Sequence, residues 1–113
     1  GRRRYLPEIN SGIQPVRSAA ERMAINMPIQ GTAADLIKLA MIEINNGLAK
    51  VSPRTKFILQ VHDELVFEAP EKDVKKVAVF IKDKMCSVMK LRAPIEVDVS
   101  VGDNWGETEK IDI

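Results

Sequence analysis

Two short runs of alternating residues flank a polar break, and they constrain the fold more than any other feature of this chain. Phe57, Leu59 and Val61 alternate with Ile58, Gln60 and His62, and Leu65, Phe67 and Ala69 alternate with Val66 and Glu68. A period of two places each set on one face of a strand. With the break at Asp63-Glu64 between them, the pair reads as a β-hairpin over residues 57–69. Tight hairpin turns favour Gly, Asn or Asp, because their central residues need positive φ. The tip His62-Asp63-Glu64 has no glycine and sets two carboxylates side by side, where they repel each other. Local rules are broken most often where function demands it. Adjacent carboxylates on a rigid hairpin suit a hard divalent cation such as Mg2+, which prefers oxygen ligands, keeps several waters and bridges to phosphate oxygens. For an arbitrary Asp-Glu pair a solvated acidic turn is the commoner arrangement, but the apolar flanks tie this turn to a sheet.

Around the hairpin the pattern is helical. Arg17 to Met27 is rich in Ala, Glu, Arg and Met, all helix-compatible. Pro28 is expected to end or kink that helix near Met27, and Gly31 to break it again. Thr32 then has the character of an N-cap, with Asp35 imitating a capping box. Ala33, Ile37, Ala40, Met41, Ile44 and Leu48 share one face of a second helix, for which Asn46-Gly47 is a plausible stop. After the hairpin, Pro70, Glu71 and Asp73 suit a helix start. Val74, Val77, Ala78, Ile81, Met85, Val88 and Met89 form an apolar stripe through about Lys90. Pro94 opens a strand with Ile95, Val97, Val99 and Val101 on one side and Glu96, Asp98 and Ser100 on the other. The entry, residues 1–16, is extended or looped, and the tail from Gly102 is polar apart from Trp105 and the last isoleucines. Trp105 is expected to anchor the core because of its size, and Met41, Met85 and Met89 to fill it. The expected class is α+β, with helices packed on one face of a small antiparallel sheet.

Composition sets the bounds. With 113 residues, 45% hydrophobic and 29% charged, the chain is the size of one soluble domain. No apolar run approaches the roughly 20 residues of a membrane span, so no membrane partner is expected. The start at Gly1, without methionine or signal peptide, reads as a piece of a longer chain. A single cysteine, Cys86, excludes an internal disulfide, and a single histidine disfavours a Cys/His zinc site. Residues 1–56 hold nine Lys and Arg against four Asp and Glu, whereas residues 57–113 hold eight against twelve. A basic half beside an acidic half is compatible with a polyanion next to a metal site, or with an ordinary scatter of solvated charge.

The string Gln60-Val61-His62-Asp63-Glu64-Leu65-Val66-Phe67-Glu68 resembles motif C of the family A DNA polymerases, the bacterial DNA polymerase I type. Three further segments strengthen the resemblance. Gly1-Arg2-Arg3-Arg4-Tyr5-Leu6-Pro7 resembles the segment following the fingers, and Ala20 to Asp35 (AERMAINMPIQGTAAD) is similar to the long palm segment. Val101-Gly102-Asp103-Asn104-Trp105 looks like the C-terminal signature. Ordered spacing over nearly the whole chain identifies residues 1–113 as a C-terminal fragment of such a polymerase domain, a partial palm.

The resemblance implies a DNA-directed DNA polymerase, a nucleotidyltransferase of DNA replication and repair, as the parent. It implies primer–template DNA and deoxynucleoside triphosphates as partners, and a location in the cytoplasm at the bacterial nucleoid. Asp63 corresponds to one of two aspartates that bind two Mg2+ ions, which activate the primer 3′-hydroxyl and stabilise the leaving pyrophosphate. Glu64 corresponds to a less essential carboxylate, an auxiliary metal or water contact. His62 matches a residue near the primer terminus, and serves equally well as a plain strand-end histidine. Arg22, Asn26 and Gln30 match residues that contact the duplex. Arg22 and Asn26, four apart, share a helix face, and minor-groove acceptors are common to A·T and T·A pairs, so such contacts are largely independent of sequence. Without the resemblance Arg22 reads as a solvated helix residue. The second aspartate, of motif A, and the helix gripping the nucleotide are not in these residues. The isolated chain is therefore expected to be inactive, to bind Mg2+ weakly, and to self-associate through an unpaired sheet edge. The rival readings are a stand-alone nucleic-acid-binding module and a noncatalytic interaction domain with a merely solvated turn.

Overall fold

The computed structural model describes all 113 residues, Gly1–Ile113. They divide into two compact units, Gly1–Asp35 and Leu36–Ile113. A 3-10 turn over Pro7–Asn10 precedes helix α1, Gln14–Val51. Strands β1 (Lys56–Val61) and β2 (Glu64–Glu68) follow, then helix α2 (Val74–Ser87) and strands β3 (Val99–Asn104) and β4 (Glu107–Ile111). The class is α+β, as the residue patterns indicate. In place of one small sheet there are two separate two-stranded antiparallel sheets, the hairpins β1–β2 and β3–β4.

The largest departure from the sequence reading is α1. It is one helix of 38 residues that runs through Pro28, Gly31 and Gly47 without ending. Proline in a helix interior removes one backbone hydrogen bond and costs about 3 kcal/mol. Several side-chain contacts of the first unit gather around this stretch. The Thr32 hydroxyl donates to the Pro28 carbonyl at 2.7 Å, four residues back, so Thr32 lies inside the helix and does not cap a new one. Asp35 pairs with Arg2, and the Arg4 guanidinium lies 3.4 Å from Met27 Sδ and 3.9 Å from Met23 Sδ. The entry segment is thereby tied to the stretch around Pro28. Gly47 also has a packing role. A Cβ there would stand 2.8 Å from the Phe80 ring, so glycine admits the aromatic of α2 against the helix backbone.

In the second unit Ile37, Ala40, Ile44 and Leu48 of α1 and Val77 and Met85 of α2 form the buried cluster, with Leu65 and Phe67 of β2 packed on it. Fully burying a side chain of this size contributes about 1.5–3 kcal/mol. Met41 packs at the edge of the cluster, Met89 is half-buried, and Ala33 is exposed. The start of α2 is secured by a polar cluster. Ser52 Oγ donates to Asp73 Oδ2 at 2.8 Å, Thr55 Oγ1 donates to Ser52 Oγ at 2.7 Å, and Lys76 pairs with Asp73 at 3.2 Å. The Ser52 hydroxyl, with Lys76 beside it, holds the Asp73 carboxyl below its ordinary value.

The C-terminal strand differs in extent. Ile95, Val97, Val99 and Val101 do alternate half-buried against exposed neighbours, but pairing begins only at Val99. The tail then folds back as β4 around a two-residue turn, Trp105-Gly106, with Asn104 opposite Glu107. The period-two signal is absent from β4 because nearly all of it is exposed.

Candidate nucleic-acid and metal interface

The β1–β2 hairpin places the acidic residues at its tip. Val61 pairs with Glu64, which leaves His62 and Asp63 as the two turn residues and makes Glu64 the first residue of β2. The two carboxylates are therefore divided between turn and strand. His62 carries φ of 54°, the one non-glycine residue of the chain with positive φ. A left-handed backbone costs an L-residue about 1–2 kcal/mol, and such strain is found where the surroundings over-determine it. Part of the surroundings is Gln60, whose Nε2 donates to the His62 carbonyl at 2.7 Å. Below the turn, Phe57 and Phe67 face each other across the strands with ring centroids 5.0 Å apart.

His62, Asp63 and Glu64 are all exposed. The ion pairs of the chain lie elsewhere, at Arg2–Asp35, Arg17–Glu21, Lys76–Asp73 and Lys110–Asp98, so Asp63 points into solvent without a cation. Glu64 has one partner: Trp105 Nε1 donates to its Oε1 at 3.3 Å. Trp105 is thus 53% exposed at the tip of the second hairpin, contrary to the core position expected from its size. Its polar N–H is engaged by a carboxylate 41 residues away in sequence. Neither this contact nor the Gln60 brace was read from the sequence. Pairing of the tail with β3 creates the first, and no hydrophobic alternation announced that pairing.

No group of three or more His, Cys, Asp or Glu is placed to hold a metal ion. What the tip supplies is two carboxylates, both with hard oxygen donors. In the first unit Arg22, Asn26 and Gln30 lie on α1 at successive intervals of four, exposed along one helix face. They are presented as donors from one helix face.

The DNA polymerase family A model matches residues 1–107. The chain belongs to that family. It is 51% identical over 105 residues to the thermostable DNA polymerase I of Thermus thermophilus and 50% identical to that of Thermus aquaticus. It is 48% identical to DNA polymerase I of Mycobacterium tuberculosis. In each case 93% of this chain is aligned against 12% of the relative, so the chain spans about an eighth of their length. Among solved structures, the polymerase domain of Pol1 from M. smegmatis in complex with DNA primer-template and dNTP superposes with a TM-score of 0.74 at 46% identity. That match covers 85% of this chain and 17% of the other. No helix here is long and apolar enough to cross a membrane.

Proposed function

We propose that these 113 residues are a C-terminal part of the catalytic region of a DNA-directed DNA polymerase, and that the β1–β2 tip is one half of its metal site. The observation that carries the reading is Asp63: an exposed carboxylate without a salt-bridge partner, on a backbone-braced turn, in a chain matched to family A over residues 1–107. The donor set fits Mg2+, which takes hard oxygens and is held by one or two carboxylates, with waters and substrate phosphates filling its other positions. When bound there, the ion supplies charge stabilisation to phosphoryl transfer from a deoxynucleoside triphosphate.

The chain's own residues divide the remaining work. Asp63 offers a carboxylate to the ion. Glu64, with one oxygen engaged by Trp105, offers its other oxygen to the ion or to a water in its shell. His62 is held at the tip by its own strained backbone and by Gln60, where an imidazole faces a primer end. Arg22, Asn26 and Gln30 act separately, as donors to minor-groove acceptors of primer–template DNA, reading pair shape more than sequence. In the parent this supports replication and repair synthesis at the bacterial nucleoid.

Two carboxylates do not make a complete site, so the 113-residue chain alone extends no primer. The test is primer extension with Mg2+ and all four deoxynucleoside triphosphates. A polymerase domain containing this chain extends the primer and loses that activity on Asp63→Ala. Extension by the chain alone that Asp63→Ala abolishes contradicts the claim of incompleteness, and activity of the domain that survives Asp63→Ala contradicts the metal role.

A further inference from the structure

The tips of the two hairpins meet at a single hydrogen bond. Trp105 is the first residue of the turn between β3 and β4, and Glu64 is the first residue of β2. The indole has one polar atom, a donor N–H, and it is directed at Oε1 of Glu64 at 3.3 Å, just past the usual span of about 2.7–3.2 Å. A carboxylate oxygen is a strong acceptor for such a donor.

The hairpin that carries the donor is closely joined below its turn. Gly102 lies so close to the opposite strand that a Cβ would stand 1.9 Å from the Glu107 carbonyl oxygen, so the strands at the base of this turn are in tight contact. Lys110 of β4 pairs with Asp98 at 2.9 Å just before β3. Tryptophan has only two side-chain torsions to immobilise, so holding it in one pose costs little entropy. A large aromatic left half-exposed at a loop tip gains little by burial, and the structure shows one specific polar contact for it.

We propose that Trp105 is a positioning residue for Glu64: its indole N–H takes one carboxylate oxygen and leaves the other to act alone. Resting on the metal role given to the tip, this makes Glu64 a one-oxygen contact. It is prevented from chelating with both oxygens and kept from swinging toward Asp63. The two carboxylates, adjacent in sequence, are thereby given different tasks: Asp63 is free to bind and Glu64 is aimed.

Trp105 is the sole tryptophan, so its indole N–H gives one signal in a nitrogen–proton correlation spectrum of the 113-residue chain. Glu64→Ala moves that signal upfield, whereas Asp63→Asn leaves it near its original place. In a polymerase domain containing the chain, Trp105→Phe keeps the ring and removes the donor. It raises the Mg2+ concentration for half-maximal primer extension roughly three- to tenfold, the range expected from loss of one hydrogen bond. Adding Trp105→Phe to Glu64→Gln produces no further rise. An indole signal unmoved by Glu64→Ala, or a Mg2+ requirement unchanged by Trp105→Phe, overturns the proposal. Activity that survives Asp63→Ala instead overturns the metal role of the tip, and the indole measurement still decides whether Trp105 holds Glu64.

Discussion

The two hairpins solve the same geometric problem in opposite ways. Each joins antiparallel strands by two residues, His62-Asp63 in one and Trp105-Gly106 in the other. In the first, positive φ falls on a histidine, where glycine would be relaxed. In the second, no glycine has positive φ, and Gly102 is needed for closeness, because a side chain would collide with the Glu107 carbonyl. One hairpin carries backbone strain at a tip whose side chains are all exposed. The other spends its glycine on tight strand contact and presents an indole to the first. Strain at such a tip adds nothing to packing, and the metal role proposed for the tip gives it a use.

Several substitutions separate these uses. The largest effect is expected at Asp63. In a polymerase domain containing this chain, Asp63→Ala lowers the rate of primer extension by about 10²–10³-fold or more, the scale of losing one transition-state stabilising group. It leaves thermal unfolding nearly unchanged, because the side chain is exposed. Gly102→Ala does the reverse. It destabilises the β3–β4 hairpin by about 1–3 kcal/mol through overpacking, seen as lost hydrogen-exchange protection at Val99–Val101 and Glu109–Ile111. Protection retained there would remove the contrast between the hairpins.

His62→Gly sharpens the comparison further. Relief of strain and the added chain entropy of glycine oppose each other, so the net change lies within about 1 kcal/mol by urea denaturation. Primer extension falls because the imidazole is lost. A strong destabilisation would mean that His62 packs rather than presents. The smallest effect is on the acid side, at Asp73. The folded-state pKa of Asp73 lies below its ordinary value of 3.8. Its stabilisation is therefore fully present above that value and is lost as pH falls through the lower folded-state value. Asp73→Asn flattens this acid limb of the stability–pH curve, and an unchanged slope would mean the Ser52 and Lys76 contacts do not favour the charged form in solution.

Much of this was legible in residue order. The alternation on either side of Asp63 defines the hairpin, and spacing of three and four along Ile37, Ala40, Ile44 and Leu48 defines the buried face of α1. The exposed face bearing Arg22, Asn26 and Gln30 follows from the same period. These are local regularities, and local geometry suffices to read them. The extent of α1 was not legible. Pro28 and Gly31 are helix breakers by local preference, and only contacts among residues distant in sequence, such as Arg2 with Asp35 and Arg4 with Met27, accompany the unbroken helix.

Trp105 marks the same boundary. From residue type alone a large aromatic belongs in a core, but β4 folds the tail back and turns the indole to Glu64. Sequence by itself determined the family, the helical faces and the acidic turn, because periodicity and motif spacing are properties of the chain in order. The tertiary structure alone decided which neighbours brace that turn, because a hydrogen bond between residues 64 and 105 exists only once two hairpins are folded and brought tip to tip.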